Sequence, residues 1–190
     1  MVLIKEELKR IKEKVINCKK CSLYKSRNLP VIGQGSHQAK IIFIGESPGF
    51  QENKTGMPFC GSSGKILDML LESIKVKRED VYIANILKCR PPKNRDPQDE
   101  EIESCAGFLE RQIEIISPKI ICPLGRYSMK FLMEKFGLEN EIQPISKIHG
   151  KIFSSGNQKI IPLYHPAVAI YNPNMKEVLL KDFKILKSLL

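Results

Sequence analysis

The chain has 190 residues, a length that suits one domain with a single large core. Its 42% hydrophobic content excludes a disordered chain, and no apolar run approaches the roughly 20 residues needed to span a bilayer. Lys and Arg outnumber Asp and Glu by 31 to 21, a net +10 that fits a nucleic-acid partner and equally a Lys-rich solvated surface.

The opening "MVLIKEELKRIKEKVINCKKC" is charged throughout and lacks the apolar stretch of a signal peptide, so an intracellular, cytoplasmic protein is expected. It reads as a first helix with Cys18 and Cys21 at its end. A first buried strand over 41–44 stops in the turn Gly45-Glu46-Ser47-Pro48-Gly49. A helix over 63–74 then sets Ile66, Leu67, Leu70 and Leu71 on one face. The second strand, 81–86, contains Asn85 and runs into "LKCRPPKNR". A helix over 97–116 follows, with Asp96 as its N-cap and Pro97 at its first position. The third strand is 119–124 and its helix 125–136. A hairpin turning at Ser155-Gly156-Asn157 leads to the fourth strand, 159–164, which ends in "YHPAVAIYNP". A helix over 174–190 closes the chain.

Strand alternating with helix predicts an α/β fold: three layers, α/β/α, around a mostly parallel four-stranded sheet. With no repeat, low-complexity tract or long linker, a single domain over 1–190 is expected. In such sheets ligands sit beyond the carboxyl ends of the strands. Those ends carry Glu46 and Ser47, Asn85, and His165, so the unusual polar residues gather at one sheet edge.

Six cysteines stand at 18, 21, 60, 89, 105 and 122. Inside a cell they are expected to be reduced. Cys122 lies within a strand and reads as a small buried apolar residue; Cys60 lies in a loop and reads as a bystander. Cys18 and Cys21 form a C-x2-C, and Cys89 and Cys105 make a second, looser pair with 15 residues between them. Four thiolates of this kind suit zinc or an iron–sulfur cluster, and a redox C-x2-C beside unrelated thiols is the alternative. Spacing does not choose the metal.

In order along the chain stand "CKKCSLYKSR", "IIFIGESPG" with Glu52 downstream, "GMPFCGSSGKILD", "NILKCRPPKNRDP", "ESC" and "HPAVAIYNP". Together they resemble the family 4 uracil-DNA glycosylases, the iron–sulfur branch of that superfamily in archaea and thermophilic bacteria. A composition rich in Lys, Glu and Ile with no Trp suits a heat-adapted source. The resemblance implies a [4Fe–4S] cluster on Cys18, Cys21, Cys89 and Cys105. It implies hydrolysis of the N-glycosidic bond of uracil flipped from single- or double-stranded DNA by a monomeric enzyme, the first step of base excision repair. A replication sliding clamp is a plausible further partner for such repair enzymes, although neither terminus carries a clear clamp-binding motif.

Residue by residue, Phe59 would stack on the base and Asn85 would read its Watson–Crick edge, taking uracil N3–H and donating to O4. His165 would stabilise the charge developing at O2. Glu46 would position or polarise the attacking water, with Ser47 beside it where the family usually has Ala or Gly. Glu52 would exclude the methyl group of thymine, while Asn53 replaces the family's usual Asp. Val168, Ile170 and Tyr171 are candidates for the wedge that fills the gap left by the flipped base. Lys88, Arg90, Lys93 and Arg95 look suited to phosphates. No lysine nucleophile is evident, so no strand cleavage is expected. A metal-stabilised nucleic-acid-binding module and an iron–sulfur electron carrier are the alternatives from other classes.

Overall fold

The computed structural model describes residues 2–189, so the outer ends of the expected domain and of the expected last helix lie outside the described residues. Its strands are β1 (Gln34–Gly35), β2 (Ile41–Gly45), β3 (Tyr82–Asn85), β4 (Ile120–Pro123), β5 (Phe153–Ser155) and β6 (Gln158–Ile160). They form one sheet in the order β1-β3-β2-β4-β6-β5. The four inner strands are parallel, as expected, but the sheet is mixed and six-stranded because β1 and β5 pair antiparallel at its edges. β5 is the outer arm of the expected hairpin. Ser155 pairs with Gln158 across Gly156-Asn157, and Gly156 has the positive φ of 55° that such a turn requires. β1 has two residues, too few to show alternation in the sequence.

The helices are α1 (Val2–Ile16), α2 (Phe50–Thr55), α3 (Ser62–Ser73), α4 (Asp99–Ile116), α5 (Arg126–Lys135), α6 (Ile145–Ile148), α7 (Val168–Tyr171) and α8 (Met175–Lys187). Alternation along β2 divides them between two faces. Ile41 and Phe43 point toward Leu67, Leu70 and Leu71 of α3 and Leu179, Phe183 and Leu186 of α8. Ile42 and Ile44 point toward Leu8, Ile11 and Val15 of α1 and Leu109, Ile113 and Ile116 of α4. Because both faces are covered, β2 is buried at every position and reads as an unbroken apolar run. No helix among the described residues is long and apolar enough to cross a membrane.

The start of α4 differs from the sequence expectation. Its N-cap is Gln98, not Asp96. Glu101, almost wholly buried, accepts the Gln98 main-chain N–H at 3.0 Å and a two-pronged contact from Arg95 at 2.9 and 2.6 Å. Removing Arg95 would leave the Glu101 carboxylate without its partner. Asp96 instead pairs with Arg126 at 2.8 Å on the surface.

Register brings the strand ends together. Gly45 lies opposite Asn85, Ile44 opposite Pro123, and a further bridge joins Leu124 to Leu163. The three loops that follow therefore leave the sheet at one edge.

Candidate active site and metal centre

Gly45 is the floor of the site. A Cβ built there would collide with Asn85 Oδ1 and lie 2.8 and 2.9 Å from two ring carbons of Phe59, so the glycine lets both side chains close over the main chain. Phe59 and His165 face each other with ring centroids 5.5 Å apart and planes inclined by 29°. Gly125, at φ 94°, performs a similar service for His165, whose Cβ would lie 3.3 Å from an added methyl. Phe59, Asn85 and His165, from three distant segments, thus converge beside the Gly45–Gly49 turn.

Asn85 is 2% exposed, and its Oδ1 is the one buried side-chain oxygen or nitrogen without a hydrogen-bond partner among the described residues. Such an orphan costs about 1–3 kcal/mol, and native proteins keep one only for a reason. As an amide oxygen it can accept an N–H. His165 is fixed by the Ala167 main-chain N–H, which donates to Nδ1 at 3.2 Å and so leaves the ring proton on Nε2. Burial holds its pKa down to about 4, against the pull of the Glu52 carboxylate, so the ring is neutral at pH 7.

Phe59 is held in a conformation that bulky residues avoid, with φ at 48°. Its carbonyl rests on Gly64 of α3, where a Cβ would overlap it. Glu52 completes the clamp: its Oε1 accepts the N–H groups of Cys60 and Gly61 at 3.0 and 2.9 Å, just ahead of α3. An anion at the head of a helix is favourably placed. Its other oxygen stands against Gly49, 2.7 Å from an added Cβ. Neighbouring Asn53 is structural: its Oδ1 accepts Asn28 N–H and its carbonyl accepts Leu29 N–H, both at 3.0 Å.

Glu46 and Ser47 are half-buried in the loop beyond β2. Burial, aided by the Asp96 carboxylate and opposed by Arg126, raises the Glu46 pKa to about 6. Glu46 therefore ionises close to neutrality. Of the wedge candidates, Val168 packs on the core, whereas Ile170 and Tyr171 are 44% and 86% exposed.

The basic loop corrects two expectations. Lys88 is 1% exposed and bonds Asn85 O and Gln112 Oε1, both at 2.8 Å. Arg95 is committed to Glu101. Neither is free for a phosphate, while Lys93 is exposed and Arg90 lies 5.3 Å from the exposed Phe50 ring.

All six cysteines are free thiols. Cys18, Cys21, Cys89 and Cys105 line one small, partly open pocket, walled by Val15, Leu23, Leu87 and Phe108. Arg27 Nη1 donates to Cys89 Sγ at 3.1 Å and Lys88 N–H to Cys105 Sγ at 3.3 Å. Burial raises both thiol pKa values, that of Cys105 to about 11, while Arg27 and Lys88 oppose the rise. Among the described residues, no three His, Cys, Asp or Glu side chains crowd round a point as one metal ion would require. Cys122 is buried in β4, and Cys60 meets only Thr55 Oγ1, at 3.2 Å. Glu101 and Gln112 carry no signal of their own in the sequence, since Gln112 lies far along the chain from Lys88 and Glu101 beyond a turn from Arg95; Arg27 belongs to the "CKKCSLYKSR" run.

A family model described as the uracil DNA glycosylase superfamily matches residues 32–186. A type-4 uracil-DNA glycosylase of Sulfurisphaera tokodaii is 47% identical over 189 residues, 97% of this chain and 85% of that protein. One of Archaeoglobus fulgidus is 44% identical over 183 residues, 94% of this chain and 91% of the relative. A third, of Saccharolobus solfataricus, is 45% identical over 190 residues, 97% and 87% of the two chains. With the superfamily model spanning the sheet and the site, and relatives this similar end to end, the chain belongs to the type-4 branch of the uracil DNA glycosylase superfamily.

Proposed function

We propose that the chain, as one domain, removes uracil from DNA by hydrolysing its N-glycosidic bond and leaves an abasic site. The observation that carries this reading is the unpartnered Oδ1 of Asn85, set beside the Phe59 ring and the neutral His165. Uracil supplies the missing donor with N3–H. Cytosine carries a lone pair at N3 and an amine where uracil has O4, so it leaves two acceptors facing each other. The flipped base stacks on Phe59, which contributes about 1–3 kcal/mol.

As the bond from C1′ to N1 breaks, its electron pair leaves with uracil and charge accumulates at O2. His165 Nε2–H donates there; a neutral donor already in place pays no reorganisation cost in the transition state. Glu46, ionised above about pH 6, orients the water that adds to C1′ and takes its proton. Glu52 fixes the loop that carries Phe59, and we assign its carboxylate beside Gly49 to the exclusion of the thymine methyl. Ser47 lines the same turn. Ile170 or Tyr171 enters the gap left in the duplex.

The residues fit a [4Fe–4S] cluster on Cys18, Cys21, Cys89 and Cys105. What supports this is that the four thiols, from three separate segments, line one pocket, and four cysteine thiolates are the donor set such a cluster takes. When bound, the group would supply a structural tie between the segment after α1, the loop after β3 and α4; glycosidic hydrolysis needs no electron.

The test is release of labelled uracil from an oligonucleotide with one U·G pair, beside strands carrying T or C at that position. Release from uracil alone is expected. Binding without release would favour the non-catalytic module.

A further inference from the structure

Lys88 is a cation with no access to solvent or substrate. An ammonium is costly to desolvate, so complete burial persists only where hydrogen bonds offset it. Here Nζ donates to the main-chain carbonyl of Asn85 and to Gln112 Oε1, both at 2.8 Å. Gln112, itself fully buried, is locked by donating to Ile32 O at 2.9 Å and Tyr82 Oη at 3.0 Å. The main chain of Lys88 is held as well: its carbonyl accepts Val31 N–H at 2.7 Å and its N–H reaches Cys105 Sγ.

This network ends on the base-reading residue at the point where the sheet stops supporting it. After Asn85 the chain stays bonded to the Gly45–Glu46 segment through the N–H groups of Ile86 and Leu87, both at 3.0 Å. The Asn85 carbonyl takes its bond from Lys88 instead. We propose that Lys88 is the positioning residue for the base-reading amide: by clamping the Asn85 carbonyl to α4 it sets the peptide's rotation and so aims Oδ1 into the site. The inference rests on Asn85 as the uracil reader. A side chain aimed by its own backbone loses reach when that backbone turns, and misplacement by about 1 Å costs on the order of 100-fold in rate.

Lys88→Met keeps the length and apolar stem and removes the donor. Four proteins are compared: the parent, Lys88→Met, Asn85→Ala and the double variant. The measurements are single-turnover excision, inhibition by free uracil, and affinity for an uncleavable DNA. Lys88→Met is expected to slow excision roughly 10–100-fold and weaken free-uracil inhibition while DNA affinity stays within about twofold. In the Asn85→Ala background it should change excision by less than about twofold, because there is no amide left to aim. Multiplicative losses in the double variant, or uracil inhibition unchanged in Lys88→Met, would overturn the proposal. Gln112→Leu, which removes the clamp's anchor and leaves Lys88 and the cysteines in place, is run through the same cycle and decides the matter if Lys88→Met does not fold. Asn85→Ala alone tests the underlying reading: parental excision there would remove Asn85 from the site, whatever the cycle gives.

Discussion

Asn85→Ala should make the protein much less active and more stable. The substitution removes two hydrogen bonds to the base, each contributing about 1–1.5 kcal/mol net in a buried setting. Losing both raises the barrier by about 2–3 kcal/mol, which at 1.4 kcal/mol per decade slows excision roughly 30- to 140-fold. In the free protein the sign reverses. Oδ1 is buried and unpartnered, and removing it relieves about 1–2 kcal/mol after allowing for the weaker packing of an alanine beside an open site. At about 2–4 °C per kcal/mol for a protein of this size, the Tm should rise by roughly 2–8 °C. Single-turnover release of labelled uracil and differential scanning calorimetry measure the two effects on one preparation. Excision within about threefold of the parent, or a Tm several degrees lower, would show that the amide is not an unfilled receptor for the base.

The Glu46 pKa of about 6 predicts that kcat/KM falls about tenfold per pH unit below that value, since the base must be ionised; Glu46→Gln should be slower and lack this limb. A retained limb would assign it to another group. His165 binds its proton less readily folded than unfolded, so its contribution to stability is present above about 6.5 and lost as pH falls toward 4. His165→Ala should flatten the Tm profile in that window and slow excision by roughly 100- to 1,000-fold, whereas an unchanged profile would count against a buried, neutral ring. The proposed [4Fe–4S] cluster predicts a brown protein whose visible absorption Cys89→Ser bleaches, and an unaltered spectrum would exclude Cys89 as a ligand.

Much of this was legible because the strands are short apolar runs and the chemistry sits just past their ends. Ile41 to Gly45 announces both a buried strand and its stop, and parallel pairing then carries Asn85 and His165 to the same edge. The edge strands were not legible: a two-residue β1 has no pattern to detect, and β5 appeared only as half of a hairpin. Lys88 and Arg95 read as surface cations because their partners, Gln112 and Glu101, lie on α4, and only folding brings those side chains beneath the loop. Asp96 followed by Pro97 looked like a helix start. The cap moved on to Gln98 because Glu101 reaches back to its N–H. Glu52 was recognised by position, but its grip on the main chain beside Phe59 depends on an N–H geometry that no spacing reveals.

Convergence of Phe59, Asn85 and His165 on one pyrimidine is tested most directly by a crystal structure of the protein soaked with uracil. The base should lie against Phe59, with N3 within about 3.0 Å of Asn85 Oδ1 and O2 within about 3.0 Å of His165 Nε2. Uracil bound elsewhere, or at this site with neither contact made, would contradict the account.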